Sequence, residues 1–307
     1  MTWTTAQIPD LTGRTAIVTG PTTGGLGFFT ARELAAKGAR VVLAGRNPAK
    51  VAEAAADIRA AVPSAQLEEL TLDVSDLGSV RDAAESAAAY GPLDLLVNNA
   101  GVMATPYSRT ADGLELQMAT NHFGPFLLTG LLLPQLIAGG DGRVVNLASQ
   151  AHRVAPRPPL DDPKEQHRRY LRWAVYGQTK LANLLFVSEL ERRLRAAGLP
   201  VKALAAHPGY AGTHLAANGQ FGRSSGGIAT ILDAANRAIS QSAEAGAWPT
   251  LMAATADLPG DTYCGPGGRG QVAGPPKVVG RTRMARDASA ARRLWEISER
   301  STGIAYP

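Results

Sequence analysis

Tyr176 and Lys180 stand four residues apart in Tyr176-Gly177-Gln178-Thr179-Lys180, and Ser149 stands upstream of them. The segment from Trp173 to Ala197 predicts a helix: leucines at 181, 184, 185, 190 and 194 recur at helical spacing, and Gly198 and Pro200 supply a stop. Side chains four apart on a helix share a face, one turn from each other. A free phenol titrates at about 10, so it exchanges protons poorly at neutral pH unless a nearby cation favours its phenolate. Lys180 is placed to supply that cation. The pair alone is a weak signal, because this spacing is common by chance, and its meaning depends on the rest of the chain.

A second chemical feature lies near the start. Arg14 to Thr19 reads as a short buried strand, followed by Gly20-Pro21-Thr22-Thr23-Gly24-Gly25-Leu26-Gly27 and a helix from Phe28 to Lys37 closed by Gly38. Strand, glycine-rich turn and helix in that order form a phosphate cradle. Glycines let the backbone approach a pyrophosphate, and free N–H groups at the helix start face its charge. The next strand, Val41 to Ala44, ends in Gly45-Arg46-Asn47. A site for NAD(H) places Asp or Glu here, whereas a guanidinium grips a 2′-phosphate. Arg46 therefore favours NADP(H), the alternative being a solvated arginine at a strand end.

The elements that position these features alternate along the chain. Gln66 to Leu72 is strand-like, with Asp73-Val74 at its carboxyl end, where an adenine fits, and Asp76 caps a helix running to Tyr90. Leu93 to Val97 is a strand opening into Asn98-Asn99-Ala100-Gly101. Residues Ala111 to Ile137 predict a long helix interrupted around Gly124-Pro125, and the strand Val144 to Leu147 delivers Ser149 to the carboxyl edge of a sheet. Val201 to Ala206 is a further strand, followed by His207-Pro208-Gly209-Tyr210-Ala211-Gly212-Thr213. Asp261 to Cys264 reads as a final edge strand, and a terminal helix contains Leu294 and Trp295. This order predicts a single α/β domain over residues 1–307, a doubly wound parallel sheet flanked by helices.

Between Ser149 and Tyr176 the composition shifts to proline, arginine and acid, so about 152–172 is expected to form an insertion at the substrate rim. From about 210 to 307 a lid and C-terminal substrate region are expected. Asn218 to Gly227 is glycine-rich and polar, and helices are expected from about Ile228 to Ser242 and from Trp248 to Ala256.

With 307 residues, 45% hydrophobic and 19% charged, the chain is long enough for one large domain. Its one cysteine, Cys264, excludes an intramolecular disulfide and a multi-cysteine metal site, and no spacing links His122, His152 and His167 as ligands. The net charge of +5 is scattered without a basic helix face, which favours a phosphate-bearing small molecule over nucleic acid. Neither a signal peptide nor an apolar run of membrane-spanning length is visible, and the cytosol is the expected compartment.

In order and spacing, Thr19-Gly20…Gly25-Leu26-Gly27, Asp73-Val74, Asn98-Asn99-Ala100-Gly101, Asn121, Ser149, Tyr176-x-x-x-Lys180 and Pro208-Gly209 resemble the short-chain dehydrogenase/reductase family with its Rossmann fold. Asn121 to Thr129 and Arg143 to His152 look most like the branch of retinol dehydrogenases and WW-domain oxidoreductases, which shades into protochlorophyllide reductases. The resemblance implies cofactor contacts from Gly20, Thr22, Thr23, Gly24, Gly25, Leu26, Gly27, Arg46, Asn47, Asp73, Val74, Asn98, Ala100, Gly101, Tyr176, Lys180, Pro208, Gly209 and Thr213. It implies that Tyr176 is the acid/base and that Ser149 binds the carbonyl oxygen. Lys180 would bind the nicotinamide ribose and stabilise tyrosinate, with Asn121 supporting a proton relay. Pairing into a dimer or tetramer through the helix of Tyr176 is a further implication. Two departures stand out: four residues rather than three separate Gly20 from Gly25, and Leu147-Ala148-Ser149 replaces the commoner tandem serine.

Three activities fit these residues: NADP-dependent hydride transfer between nicotinamide and an apolar carbonyl or alcohol, reduction of a conjugated C=C bond, or dinucleotide sensing without turnover. Retention of Asn121, Ser149, Tyr176 and Lys180 together favours the first.

Overall fold

Along the central strands, neighbouring apolar side chains leave in opposite directions and both are buried. Ile17, Val42, Leu96 and Val144 join one core, while Ala16, Val18, Val41, Leu43, Leu95, Val97 and Val145 join another on the opposite face. That period of two with both faces apolar is the signature of a parallel sheet covered by helices on each side. The computed structural model describes residues 2–164, 170–210 and 241–306.

In chain order the described elements are β1 (Thr15–Thr19), α1 (Leu26–Ala36), β2 (Arg40–Gly45), α2 (Pro48–Ala61), β3 (Gln66–Thr71), α3 (Leu77–Ala87) and β4 (Leu95–Asn98). Then come α4 (Leu116–Met118), a π-helical turn (Ala119–Phe123), α5 (Gly124–Ala138), β5 (Gly142–Leu147), α6 (Arg172–Ala196) and β6 (Val201–Ala206). The last are α7 (Ala243–Thr255), β7 (Tyr263–Pro266), β8 (Pro276–Val278) and α8 (Ala288–Thr302). The sheet order is β3-β2-β1-β4-β5-β6-β7-β8, parallel except for β8. Order reverses between β1 and β4, which opens a crevice at their carboxyl ends. One core holds α1, α2 and α7; the other holds α3, α5, α6 and α8.

Three expectations need correction. The strand after Asp261 is not the sheet edge, because β8 pairs antiparallel outside it through Cys264 and Val278. Residues 111–115 are not helical: the Glu115 carboxylate caps α4, accepting from the backbone N–H of Gln117 and Met118, and so fixes the start. The irregular turn also lies upstream of Gly124-Pro125, which instead open the regular helix α5, with Pro125 in its first turn. A Cβ at position 124 would stand 1.9 Å from the Val74 carbonyl oxygen, so glycine is what lets this helix meet the loop after β3. Asp76 caps α3 as expected, accepting from Gly78 and Ser79.

The C-terminal segment lies across α5 and α6. The Trp295 ring meets Phe126 edge-on at 5.0 Å, and Tyr306 Oη donates to the Phe126 carbonyl at 2.6 Å. His122 in the π-helical turn bonds Ser298 Oγ on α8 at 2.7 Å. On α6, Phe186 and the Arg193 guanidinium lie against the same Trp295 ring. Among the described residues, no helix is long and apolar enough to cross a membrane.

Among the described residues, three histidines are buried. Burial pulls His122 down to about 3 and His207 to about 4, and holds His152 below its ordinary 6.5. Folded values below unfolded ones mean that the unfolded chain takes up these protons first. Stability is therefore fully present above 6.5 and is lost as pH falls towards 4, by up to about 1.4 kcal/mol per pH unit for each histidine. Urea unfolding from pH 7 to 4.5 checks this, and a free energy flat over that range would contradict neutral burial of the three rings.

Candidate active site

The last residue of β5 offers a carbonyl that α6 uses twice. Leu147 O accepts from Lys180 Nζ at 3.1 Å and from Asn183 Nδ2 at 2.9 Å. Lys180 is 6% exposed, and burial brings its ammonium down to about 8. One turn away, Tyr176 is 8% exposed; burial pushes its phenol up to about 12, while the neighbouring Ser149 hydroxyl acts in the lowering direction. Lys180 Nζ lies 5.7 Å from the centre of the Tyr176 ring. Burial outweighs the Ser149 hydrogen bond here, which favours a phenol over a phenolate beside the ammonium. That arrangement suits donation of a proton.

Ser149 leaves β5 in extended conformation and caps the short 3₁₀ turn Gln150–Val154, its Oγ accepting from Ala151 N–H at 3.1 Å. This turn packs on α6 beside Tyr176. A Cβ at Gly177 would come within 2.8 Å of the Ala151 carbonyl oxygen. Glycine within Tyr176-x-x-x-Lys180 thus sets how near Ser149 comes to the phenol.

Asn121 sits in the π-helical turn, a wide turn that often marks functional positions. Its Oδ1 accepts from Val102 N–H at 2.8 Å, and its Nδ2 donates to Val102 O at 2.8 Å and to Thr179 Oγ1 at 3.0 Å. These bonds are not local; they join the loop after β4 to α6. Gly101 fits against this amide, where a Cβ would stand 2.9 Å from Asn121 Oδ1.

On the other side of the crevice the glycine turn is tied to β4. Thr19 Oγ1 accepts from the N–H groups of Asn99 at 3.0 Å and Ala100 at 2.9 Å, and Asn99 Nδ2 donates to Thr19 O and Gly20 O. A Cβ at Gly27 would lie 2.5 Å from both Asn99 Nδ2 and Gly20 O. Within this turn Gly24 has a φ of +73°, which favours glycine, and Gly25 N–H closes a turn on Thr22 O at 2.9 Å. Gly25 then opens α1 with no side-chain cap, so the amides of Leu26 and Gly27 are left for an anion. This cradle fits a pyrophosphate.

The remaining positions divide. Thr22 and Arg46 are exposed, Arg46 at the carboxyl end of β2, while Thr23 donates to Asp57 on α2 at 3.2 Å. Asn47 caps α2, and the Asp73 carboxylate accepts from Ser75 N–H and Oγ, with Val74 buried beside it. Asn98 is buried at the end of β4. Its buried amide donates to Thr129 Oγ1 at 3.0 Å and Asn146 Oδ1 at 2.7 Å, inside the core. Pro208 and Gly209 stand after β6, braced by bonds from Gln241 Nε2 to Pro208 O and from Tyr210 N–H to Val272 O. Thr213, the Asn218–Gly227 segment and the helix expected from Ile228 lie outside the described residues.

Sequence reasoning missed a buried polar group at the rim. Tyr170 Oη donates to Glu115 Oε1 at 2.7 Å, and Gln117 Nε2 lies 2.6 Å from the same phenol oxygen. Gln117 Oε1 also accepts from Ala104 N–H at 2.8 Å. These bonds draw the end of the insertion onto the loop after β4. Beside them opens a cleft of about 460 Å³ lined by Pro106, Tyr170, Leu171, Arg172 and Trp173. The available signal was Glu115-x-Gln117 directly before an apolar helix. A larger cavity, about 590 Å³, lies at the opposite edge of the sheet between Arg14, Arg40 and Asp94.

Gly177→Ala should push the 150–154 turn off α6. We expect turnover to fall about tenfold to a hundredfold with the fold retained. Steady-state rates alongside circular dichroism check this; an active, fully folded variant would contradict the close approach.

Comparison with known proteins agrees with this geometry. The family described as short chain dehydrogenase matches residues 14–159. Human retinol dehydrogenase 13 is 40% identical over 307 residues, covering 98% of this chain and 87% of its own length. The solved structure of an uncharacterized protein from Mycobacterium Paratuberculosis is 44% identical with a TM-score of 0.82, covering 100% of both chains. A 3-oxoacyl (acyl-carrier-protein) reductase from Agrobacterium tumefaciens C58 with NADP bound is 27% identical with a TM-score of 0.62, covering 80% of this chain and 88% of that one. The chain belongs to the short-chain dehydrogenase/reductase family of oxidoreductases, in its retinol-dehydrogenase-like branch.

Proposed function

We propose that this chain is an NADP(H)-dependent oxidoreductase that interconverts an apolar carbonyl compound and its alcohol, with Tyr176 as acid and base. The observation that carries the reading is the buried Tyr176 phenol beside Ser149, with the Lys180 ammonium 5.7 Å from the centre of its ring. When bound, the nicotinamide supplies or accepts the hydride.

The chain's own residues do the rest. The Ser149 hydroxyl and the Tyr176 phenol hydrogen-bond the carbonyl oxygen, and the phenol gives it a proton as negative charge develops there. The Lys180 ammonium, held by Leu147 O, stands near enough to stabilise the tyrosinate that remains. Lys180 would also hold the cofactor ribose, and Asn121 supports return of the proton through the loop it fixes. Oxidation of the alcohol reverses these steps.

Two features support NADP(H). Arg46 is exposed at the end of β2, where a 2′-phosphate would be met, and a structural relative carries bound NADP. Support for an apolar substrate comes from the entrance: Val154, Leu171, Trp173 and Tyr210 are exposed large apolar or aromatic side chains near the site. The name of the retinol dehydrogenase relative points the same way.

Two substitutions separate chemistry from cofactor choice. Tyr176→Phe should lower carbonyl reduction by about 10² to 10⁴ with NADPH affinity unchanged. Arg46→Ala should weaken NADPH about tenfold to a hundredfold and leave NADH binding alone. Nicotinamide fluorescence titrations and steady-state rates read both effects. An active Phe variant would remove Tyr176 from the reaction, and equal loss of both cofactors would remove Arg46 from the choice.

A further inference from the structure

His152 stands three residues beyond Ser149, and the proposed reaction gives it no part. It is wholly buried, its ring edge-on to Tyr263 with centroids 5.8 Å apart. Nδ1 lies 2.6 Å from the Ser149 carbonyl oxygen, which also accepts the His152 backbone N–H at 3.1 Å. A carbonyl only accepts, so Nδ1 must carry the hydrogen. At the far side of the ring the Thr282 backbone N–H faces Nε2 at 3.4 Å. A backbone N–H only donates, so Nε2 must be bare. Two partners on opposite sides thus select the same tautomer. Burial, with the Arg153 and Arg281 guanidinia nearby, keeps the ring neutral.

We infer that His152 is a positioning residue: its Nδ1–H, donated to the Ser149 carbonyl, fixes the serine backbone and so aims the hydroxyl at the substrate oxygen. The inference rests on the carbonyl-reductase reading above. The 3₁₀ turn alone holds that carbonyl by one bond of a poorer geometry than an α-helical bond. The imidazole adds a second donor from a side chain that cannot move without breaking its own packing. Because Thr282 lies between β8 and α8, one ring also ties the serine to the C-terminal segment. A fixed hydroxyl matters because an error of about 1 Å at a reacting group can cost about a hundredfold in rate.

Asparagine and glutamine distinguish this role from general packing. An asparagine amide nitrogen can stand where Nδ1 stands, whereas glutamine reaches the Nε2 position and leaves the Nδ1 place without a donor. The experiment measures NADPH-driven reduction of a simple aromatic aldehyde by wild type, His152→Asn and His152→Gln, and repeats both substitutions in a Ser149→Ala background. The Gln variant should lose about tenfold or more in kcat with the KM for NADPH unchanged, and the Asn variant should stay within about threefold of wild type. In the Ser149→Ala background the Gln substitution should cost nothing further, since it acts through that serine. Equal rates for Asn and Gln, or losses that simply add, would overturn the proposal.

Long-range ¹⁵N–¹H spectra of the histidine-labelled wild type read the tautomer without any turnover. An Nδ1–H signature is expected, and an Nε2–H signature would overturn the hydrogen bond itself. A wild type that reduces no carbonyl while showing the Nδ1–H form would overturn the reaction, and the positioning role with it, but not the bond.

Discussion

One carbonyl oxygen, that of Leu147, holds the site together. It ends β5 and receives both Lys180 and Asn183 from α6, so the helix of Tyr176 is docked on the strand that leads to Ser149. A buried ammonium is costly unless its donors are satisfied, and this bond satisfies one of them. It also sets where Lys180 stands relative to Tyr176. Gly177 completes the fit by letting the turn after Ser149 touch the same helix. Strand, turn and helix are thereby brought to one point, and the other parts of the site are arranged around it.

The same economy of close approach appears on the cofactor side. Asn99 binds two carbonyls of the glycine turn while Thr19 holds the two amides after β4, so the ends of β1 and β4 move as one piece. Asn121 then joins the loop after β4 to α6 through Val102 and Thr179. A chain of hydrogen bonds therefore runs from the phosphate cradle to the helix of Tyr176. From the other side, α8 and Tyr306 press on α5 and α6, and His122 links that cover to the turn holding Asn121.

Much of this was legible in the residues. The central strands announced themselves because both faces are buried and their runs are apolar; the glycine turn and Tyr176-x-x-x-Lys180 announced themselves because their chemistry needs fixed spacing. What escaped has physical reasons. Pro276 to Val278 carries no apolar pattern, being three residues with proline and lysine at an edge, so Tyr263–Pro266 looked like the end of the sheet. The helix before Asn121 was started too early because a glutamate cap is an uncommon signal next to Asp or Ser. Asn98 was expected at the cofactor, and nothing along the chain showed that its side-chain nitrogen donates inward, to Thr129 and Asn146. Glu115, Gln117 and Tyr170 meet only in three dimensions, and no spacing along the chain joins them.

The central claim is that this architecture delivers hydride to a carbonyl carbon and a proton to its oxygen. Incubating the protein with an α,β-unsaturated aldehyde and NADPH deuterated on the transferring face of C4 tests it directly, because one substrate offers both reducible bonds. The account predicts deuterium on the carbinol carbon of an allylic alcohol. Deuterium on the β-carbon of a saturated aldehyde would contradict it in favour of C=C reduction. An unlabelled, unreduced aldehyde from protein that binds NADPH would contradict it in favour of a dinucleotide sensor.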